Sequence, residues 1–237
     1  MSPPAGQKSV ELPPPAAIPA YLQKIYWWAY VHPNAITVFE RQWLVNLILW
    51  GNFARLRDAA LDEFGARISG RSLQVACVYG DFSAKLAERI DAEGALDIVD
   101  ILPLQLRNLE KKLPASNHIG LFQRDSSALG FADANYDQVV IFFLLHEQPE
   151  AVRRQTLSEA VRVLKLGGKL VIVDYHLPRR LHPLRYLFRP VLHVLEPFAL
   201  DLWRRELVEW LPTGVRPEQI RKETYYGGLY QKLVISV

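Results

Sequence analysis

Cysteine is nearly absent from this chain of 237 residues: Cys77 stands alone, so no intrachain disulfide can form, and a reducing compartment fits best. The plain reading of Cys77 is a small buried strand residue; the alternative is a reactive thiol. Long apolar runs are also missing. The uncharged stretches Ile25 to Phe39 and Gln42 to Ala54 both fall short of the ~18 residues a spanning helix needs, and His32-Pro33-Asn34 breaks the first. The opening MSPPAGQKSVELPPP has no apolar core or small-residue cleavage pattern, so it reads as a disordered proline-rich tail over 1–17, not a secretory signal. An excess of charge of one sign is also lacking: 28 basic residues face 25 acidic ones, a net +3, with a pI near 8.9. Basic residues do not interleave with aromatics along a strand, which argues against an RNA-binding surface.

What is present is apolar: half the residues are hydrophobic and 22% are charged, enough for one sizeable core. A front module spans 18–64. Ile25, Trp28, Ala29 and then Phe39, Trp43, Leu47 and Trp50 recur at three- and four-residue steps, predicting two amphipathic helices on either side of the His32-Pro33-Asn34 break. Trp27 and Trp28 point about 100° apart on a helix, so one buried face cannot hide both, and one is expected to face a cleft, a lid or lipid.

From Leu73 the period changes. LQVACV, ALDIVD, IGLFQR, DQVVIFF and KLVIVD alternate with helical patterns over Phe82 to Asp91, Pro103 to Leu113 and Glu150 to Leu164. Such alternation predicts an α/β domain over 65–237, with right-handed crossovers and a mostly parallel, doubly wound sheet. Gly167-Gly168 read as a helix C-cap and turn into the fifth strand. Ile220 to Tyr226 and Leu229 to Ser236 flank Gly227-Gly228, so the sheet closes with an antiparallel hairpin.

Three stretches, ALDIVDILPLQLRNLEKKL, LFQRDSSALGFADANYDQVV and FFLLHEQPEAVRRQTLSEAVRVLKLGGKLVIVD, together resemble the class I S-adenosylmethionine-dependent methyltransferases, a Rossmann-like fold with a seven-stranded sheet. The resemblance covers roughly Leu73 to Val237 and implies a cofactor site. Asp100, 21 residues after Tyr79 at the end of the second strand, would accept both ribose hydroxyls, with Ile101 beside it; its other reading is a helix cap. Asp125 at the tip of the third strand would accept from the adenine amino group, with Ser126 offering its backbone N–H, although an ordinary turn aspartate would look the same.

The opening turn, VACVYGDFS, departs from that family. Where the family reads acid-x-Gly-x-Gly-x-Gly, gap-free alignment puts Cys77 at the acid and Tyr79, Asp81 and Ser83 at the glycines, leaving only Gly80, one position out of phase. Glycines there let backbone N–H groups approach the methionine end of the cofactor. The adenosine end therefore looks intact and the methionine end, lined by Val78, Tyr79, Gly80 and Asp81, looks altered. Asp81 would contact an ammonium or a hard cation, or else it and Ser83 simply cap the next helix.

That turn, with the front segment YWWAYVHPNAITVFERQWLVNLILWGNF, more narrowly resembles the rhodoquinone biosynthesis enzymes, methyltransferase homologues that act on ubiquinone. The resemblance implies replacement of a ring methoxy group by an amino group, S-adenosylmethionine as the nitrogen donor, and a divalent metal, manganese. The orthodox alternatives are a C- or O-methyltransferase on a quinone or lipid, and a non-catalytic scaffold with a dead pocket. Catalytic candidates are Tyr79, Asp81, His146 and His176; for the metal, Asp81, His146 and Asp174 mix imidazole with carboxylate near the carboxyl edge of the sheet.

An insertion at about 175–215 carries Arg179, Arg180, Arg185 and Arg189 among leucines and aromatics, with no acid between Asp174 and Glu196. Such a segment either lies on an anionic membrane surface or is a solvated face. With a polyprenyl quinone as substrate, the expected location is cytoplasmic, peripheral at the inner face of the membrane. Nucleic acid is not an expected partner, and oligomeric state is left open.

Overall fold

The computed structural model describes residues 17–26 and 40–237. The expected disordered tail up to residue 16, the Trp27-Trp28 pair and the His32-Pro33-Asn34 break lie outside the described residues. Five strands run parallel: β1 (Arg71–Val75), β2 (Ala95–Asp100), β3 (Ile119–Gln123), β4 (Tyr136–Phe142) and β5 (Leu164–Tyr175). The hairpin strands β6 (Ile220–Tyr225) and β7 (Tyr230–Ser236) complete a seven-stranded sheet of order β3-β2-β1-β4-β5-β7-β6, in which β7 is antiparallel to both neighbours. Gly227 and Gly228 both hold positive φ in the hairpin turn, which is why a pair of glycines stands there. The order reverses direction between β1 and β4, and ligands of open α/β sheets bind at that crevice, off the carboxyl ends of the strands.

The helices are α1 (Ala20–Ile25), α2 (Gln42–Ile48), α3 (Phe53–Leu61), α4 (Phe82–Ala87), α5 (Pro103–Glu110), α6 (Glu150–Arg162), α7 (Leu184–Leu195) and α8 (Asp201–Arg204). α3 is an addition to the expected pair of front helices. It lays Phe53, Leu56, Ala60 and Leu61 against the core, and burying each large apolar side chain contributes about 1.5–3 kcal/mol. Phe53 meets Phe142 edge-on at 6.2 Å while Phe82 stacks on the same ring at 4.3 Å, so α3 and α4 share one aromatic contact with β4.

Several expected boundaries move for local reasons. The first strand stops at Val75 instead of running on to Val78, because Ala76 takes a positive φ of 73° and turns the chain. α4 ends at Ala87, since the chain then turns back to pair Ile90 with Ile68 beside the sheet. The glycines after α6 lie inside β5: Gly167 has φ +81°, and a Cβ on Gly168 would sit 2.7 Å from the Lys165 carbonyl oxygen. They are structural, but the expected helix C-cap is Val163 instead, since β5 already begins at Leu164.

Candidate functional site

A cavity of about 670 Å³ opens at the carboxyl edge of β1, β2, β4 and β5, beneath α1, α2 and α7. At one end, the β2 tip presents Asp100. Its Oδ2 accepts the Cys77 backbone N–H and its Oδ1 that of Leu102, each at 2.8 Å. This carboxylate therefore ties the turn after β1 to the entry of α5, and the helix-capping position itself belongs to Leu102. Burial pushes the Asp100 carboxyl up to about 6, against the pull of the N–H groups of Leu102 and Cys77. The Cys77 thiol, raised by burial and then by the nearby Asp100 charge, is packed against the core and also lines the cavity. Its protonated state is that of an inert thiol.

Val78, Tyr79, Ile101, Asp125 and Ser126 line the same end. Asp125 closes a local turn, its Oδ1 accepting the backbone N–H and the hydroxyl of Ser127 at 2.8 and 2.7 Å. The Ser126 hydroxyl is engaged by Gln148 Nε2 and Thr156 Oγ1, both at 2.9 Å. Gln105 of α5 donates its amide N–H to the Tyr79 hydroxyl at 2.8 Å, which fixes the tyrosine ring in the cavity wall. Burial raises the Tyr79 phenol, so it stays protonated.

Gly80 and Asp81 do not line the cavity. Gly80 holds φ +86°, and a Cβ there would meet Phe53 Cζ at 2.9 Å; its role is close packing on α3. Asp81 occupies the N-cap position of α4 without capping it. Both of its oxygens instead accept from Arg57 Nη1 of α3, at 2.8 Å each, and this pairing holds the carboxyl below its usual range despite partial burial. Ser83 is buried and accepts from Gln74 Nε2 at 2.8 Å, so it is not a cap either.

At the other end, a single turn after β4 (Leu145–Glu147) brings His146 and Glu147 to the cavity. The fully buried Asp174 of β5 organises it: Oδ1 accepts from His146 Nδ1 at 2.9 Å and from the Tyr175 N–H at 2.7 Å, and Oδ2 accepts the Leu145 N–H at 2.8 Å. His146 Nε2 lies 3.7 Å from Glu147 and 3.8 Å from Glu196. Burial opposes charge on His146, but Asp174, Glu196 and Glu147 outweigh it and push the imidazole up to about 9. At neutral pH His146 is an imidazolium. Glu196 is raised by burial, with His146 pulling the other way.

Arg153 of α6 underpins this end. Fully buried, it donates to the carbonyls of Leu145, Gln148 and Phe198 at 2.9–3.0 Å and lies 4.5 Å over the Trp210 ring. It thus joins the His146 turn to the insertion. No spacing in the sequence distinguishes it from the other arginines of the same helix, because its link to the insertion depends on Phe198 and Trp210, dozens of residues away. Gln105, Glu147, Glu196, Tyr21 and Tyr26 also line the cavity.

Of the three residues expected to hold a metal, the structure keeps His146 and Asp174 in contact at 2.9 Å and places Asp81 apart from them. Asp81 is turned to Arg57, Asp174 lies behind His146, and among the described residues no group of three or more His, Cys, Asp and Glu side chains is arranged for a cation. The expected trio does not fit a divalent metal. His176 is also away from the cavity: its Nδ1 meets the Gly228 carbonyl at 2.8 Å and its Nε2 meets Lys222 Nζ at 3.0 Å.

The ubiE/COQ5 methyltransferase family matches residues 40–199, well over half the chain. A demethylmenaquinone methyltransferase of Staphylococcus haemolyticus (strain JCSC1435) is 25% identical over 187 residues, covering 76% of this chain and 74% of the relative. A protein of the same name from Staphylococcus aureus (strain MRSA252) is 27% identical over 148 residues, which is 60% of its own length. Among solved structures, phosphoethanolamine N-methyltransferase 2 of Haemonchus contortus, in complex with S-adenosyl-L-methionine, superposes with a TM-score of 0.65 at 13% identity, over 91% of this chain and 59% of that one. The N-methyltransferase NodS from Bradyrhizobium japonicum WM9 gives 0.55 at 16% identity, over 81% and 97%. These likenesses bear on the fold.

Proposed function

Since the chain belongs to the ubiE/COQ5 methyltransferase family, we propose that its cavity binds S-adenosylmethionine and that it converts ubiquinone to rhodoquinone, exchanging a ring methoxy group for an amino group. The observation that carries the reading is the asymmetry of the cavity. Asp100 and Asp125 stand at the strand tips suited to an adenosine, while Tyr79 occupies the wall where a methyl-transferring relative would present bare backbone. When bound, the cofactor supplies either a methyl group or its amine to the ring.

The chain's own residues hold and orient. Asp100 accepts the ribose hydroxyls, Asp125 the adenine amino group, with Val78 and Ile101 against the adenosine. Tyr79 and Gln105 shape the methionine end. His146, kept cationic by Asp174, Glu147 and Glu196, donates a hydrogen bond to a ring oxygen. An acid at that place suits attack by an amine on an oxidised ring, whereas methylation at carbon of a quinol calls for a base.

A second reading is an orthodox quinone methyltransferase, favoured by the relatives named for demethylmenaquinone. Mass spectrometry of the quinone after incubation with S-adenosylmethionine divides the two: loss of methoxy with gain of an amino group supports the first, and gain of a methyl group supports the second. Calorimetry with S-adenosylmethionine separates both from a non-catalytic scaffold, which would show no binding.

The cavity mouth supports a membrane-bound substrate. Trp43, Leu47 and Trp50 around α2, and Tyr186, Leu187, Val194 and Leu195 on α7, are exposed, and Trp50 meets Phe188 edge-on at 6.2 Å to join the two elements. Arg179, Arg180 and Arg189 are exposed in the same segment. No helix among the described residues is long and apolar enough to cross a membrane. We therefore place the enzyme peripherally, on an anionic surface at the inner face of the membrane, with the apolar mouth turned to the lipid that carries the quinone.

A further inference from the structure

We propose that Arg57 is a positioning residue for the cofactor's methionine end, acting through Asp81 on the backbone that carries Tyr79. The inference rests on the reading of the cavity as an S-adenosylmethionine site. In a glycine-rich turn the backbone itself supplies the shape. Here the shape comes from outside the turn. Arg57 is nearly buried, its Nη1 lies 2.8 Å from each Asp81 oxygen, and its Nε is fixed by Asp58 Oδ1 at 2.8 Å. A further hydrogen bond reaches Asp81 from Gln42 of α2.

The next residue back, Gly80, sits so close on Phe53 that a Cβ would clash at 2.9 Å, and its carbonyl accepts from Lys112 Nζ at 3.1 Å. Lys112 in turn is held by Glu40 at 2.7 and 2.9 Å. Four residues of the front segment, Glu40, Gln42, Phe53 and Arg57, thus grip two consecutive residues of the turn from behind. Tyr79, next in line, is directed into the cavity and pinned by Gln105 at 2.8 Å. The turn is held by an external clamp, and among the described residues Arg57 is the charged group of that clamp that bonds Asp81 itself. Asp81 therefore serves the site without touching a ligand there.

The test uses two ligands that share the adenosine: S-adenosylhomocysteine, which keeps the amino-acid end, and methylthioadenosine, which lacks it. Titration calorimetry on the full chain would compare wild type with Arg57→Met, Arg57→Lys and the near-isosteric Asp81→Asn. Arg57→Met and Asp81→Asn should lose roughly tenfold or more in affinity for S-adenosylhomocysteine, with methylthioadenosine unchanged, and Arg57→Lys should recover most of the loss. Parallel weakening of both ligands would make Arg57 a packing residue only, and unchanged affinity for both would show that the clamp does not reach the site. A wild type that binds neither ligand overturns the cofactor reading itself, and the clamp's role with it. Asp81→Asn alters no volume, so it carries the test should Arg57→Met fail to fold.

Discussion

At the scale of single residues, two buried titrating groups make opposite demands. Asp100 is pushed up to about 6 by burial, and it accepts ribose hydroxyls best as a carboxylate. Affinity for S-adenosylmethionine should therefore hold steady above about pH 6 and fall as pH drops through it, a profile that titration calorimetry at several pH values records. Asp100→Ala should weaken binding by ~1.5–3 kcal/mol, as expected for hydrogen bonds to a charged group, and should abolish that pH dependence. His146 behaves the other way. Its folded value near 9 exceeds the ordinary 6.5, so its contribution to stability is fully present below 6.5 and is lost as pH rises through 9. Urea unfolding midpoints should decline across that window in the wild type and decline less in His146→Gln. Removing its partner by Asp174→Ala should cost about 3–5 kcal/mol, because a buried charge loses its counterpart.

At the scale of elements, the alternation of apolar runs with helical patterns was enough to reveal five parallel strands and the closing hairpin, because buried parallel strands are continuous apolar stretches and Gly227-Gly228 marks the turn. Strand and helix ends were less legible. The stop at Val75 depends on a positive φ at Ala76, a residue whose identity gives no warning of it. α3 lies mostly beyond the uncharged stretch that ends at Ala54, and its importance depends on long-range partners, Asp81 and Gly80, that no local pattern reports. That Asp100, Asp125 and His146 line the cavity could be read from the sequence because they sit at or just after strand ends, at the carboxyl edge of the sheet. Asp81 and His176 sit beside strand ends as well, yet each finds a partner elsewhere, and only three-dimensional placement separates the two cases.

The α7 segment makes a prediction of its own. Neutralising Arg179, Arg180 and Arg189 should reduce binding to anionic vesicles by about 1 kcal/mol per residue near the surface. Arg185 should count for less, since its guanidinium donates to the Pro178 carbonyl at 2.6 Å. Sedimentation with vesicles checks this; equal binding of variant and wild type would assign the arginines to solvent. Within the opening turn, Tyr79→Gly should preserve or improve cofactor affinity while turnover of ubiquinone collapses, since displacement of a reacting group by about 1 Å can cost ~100-fold in rate. Paired titration and chromatography would reveal the split, and full turnover in the variant would make Tyr79 incidental.

At the scale of the whole molecule, Asp100 and Asp125, the strand-tip carboxylates proposed to hold an adenosine, share one cavity of about 670 Å³ with His146, an acid held by three carboxylates, and with an apolar mouth. Volumes of this size hold a cofactor-sized ligand and part of a second molecule. The front segment is part of the machine, because its helices form the mouth and clamp the turn at once. This arrangement is proposed to move nitrogen instead of a methyl group, and an isotope label follows that nitrogen directly. The chain is incubated with ubiquinone in anionic vesicles and S-adenosylmethionine carrying heavy nitrogen at its amino group, and the quinone is recovered for mass spectrometry. Heavy nitrogen should appear on the ring with one methoxy group gone; ubiquinone recovered without label, while a quinone with an unsubstituted ring position offered in its place gains a methyl group, would contradict this.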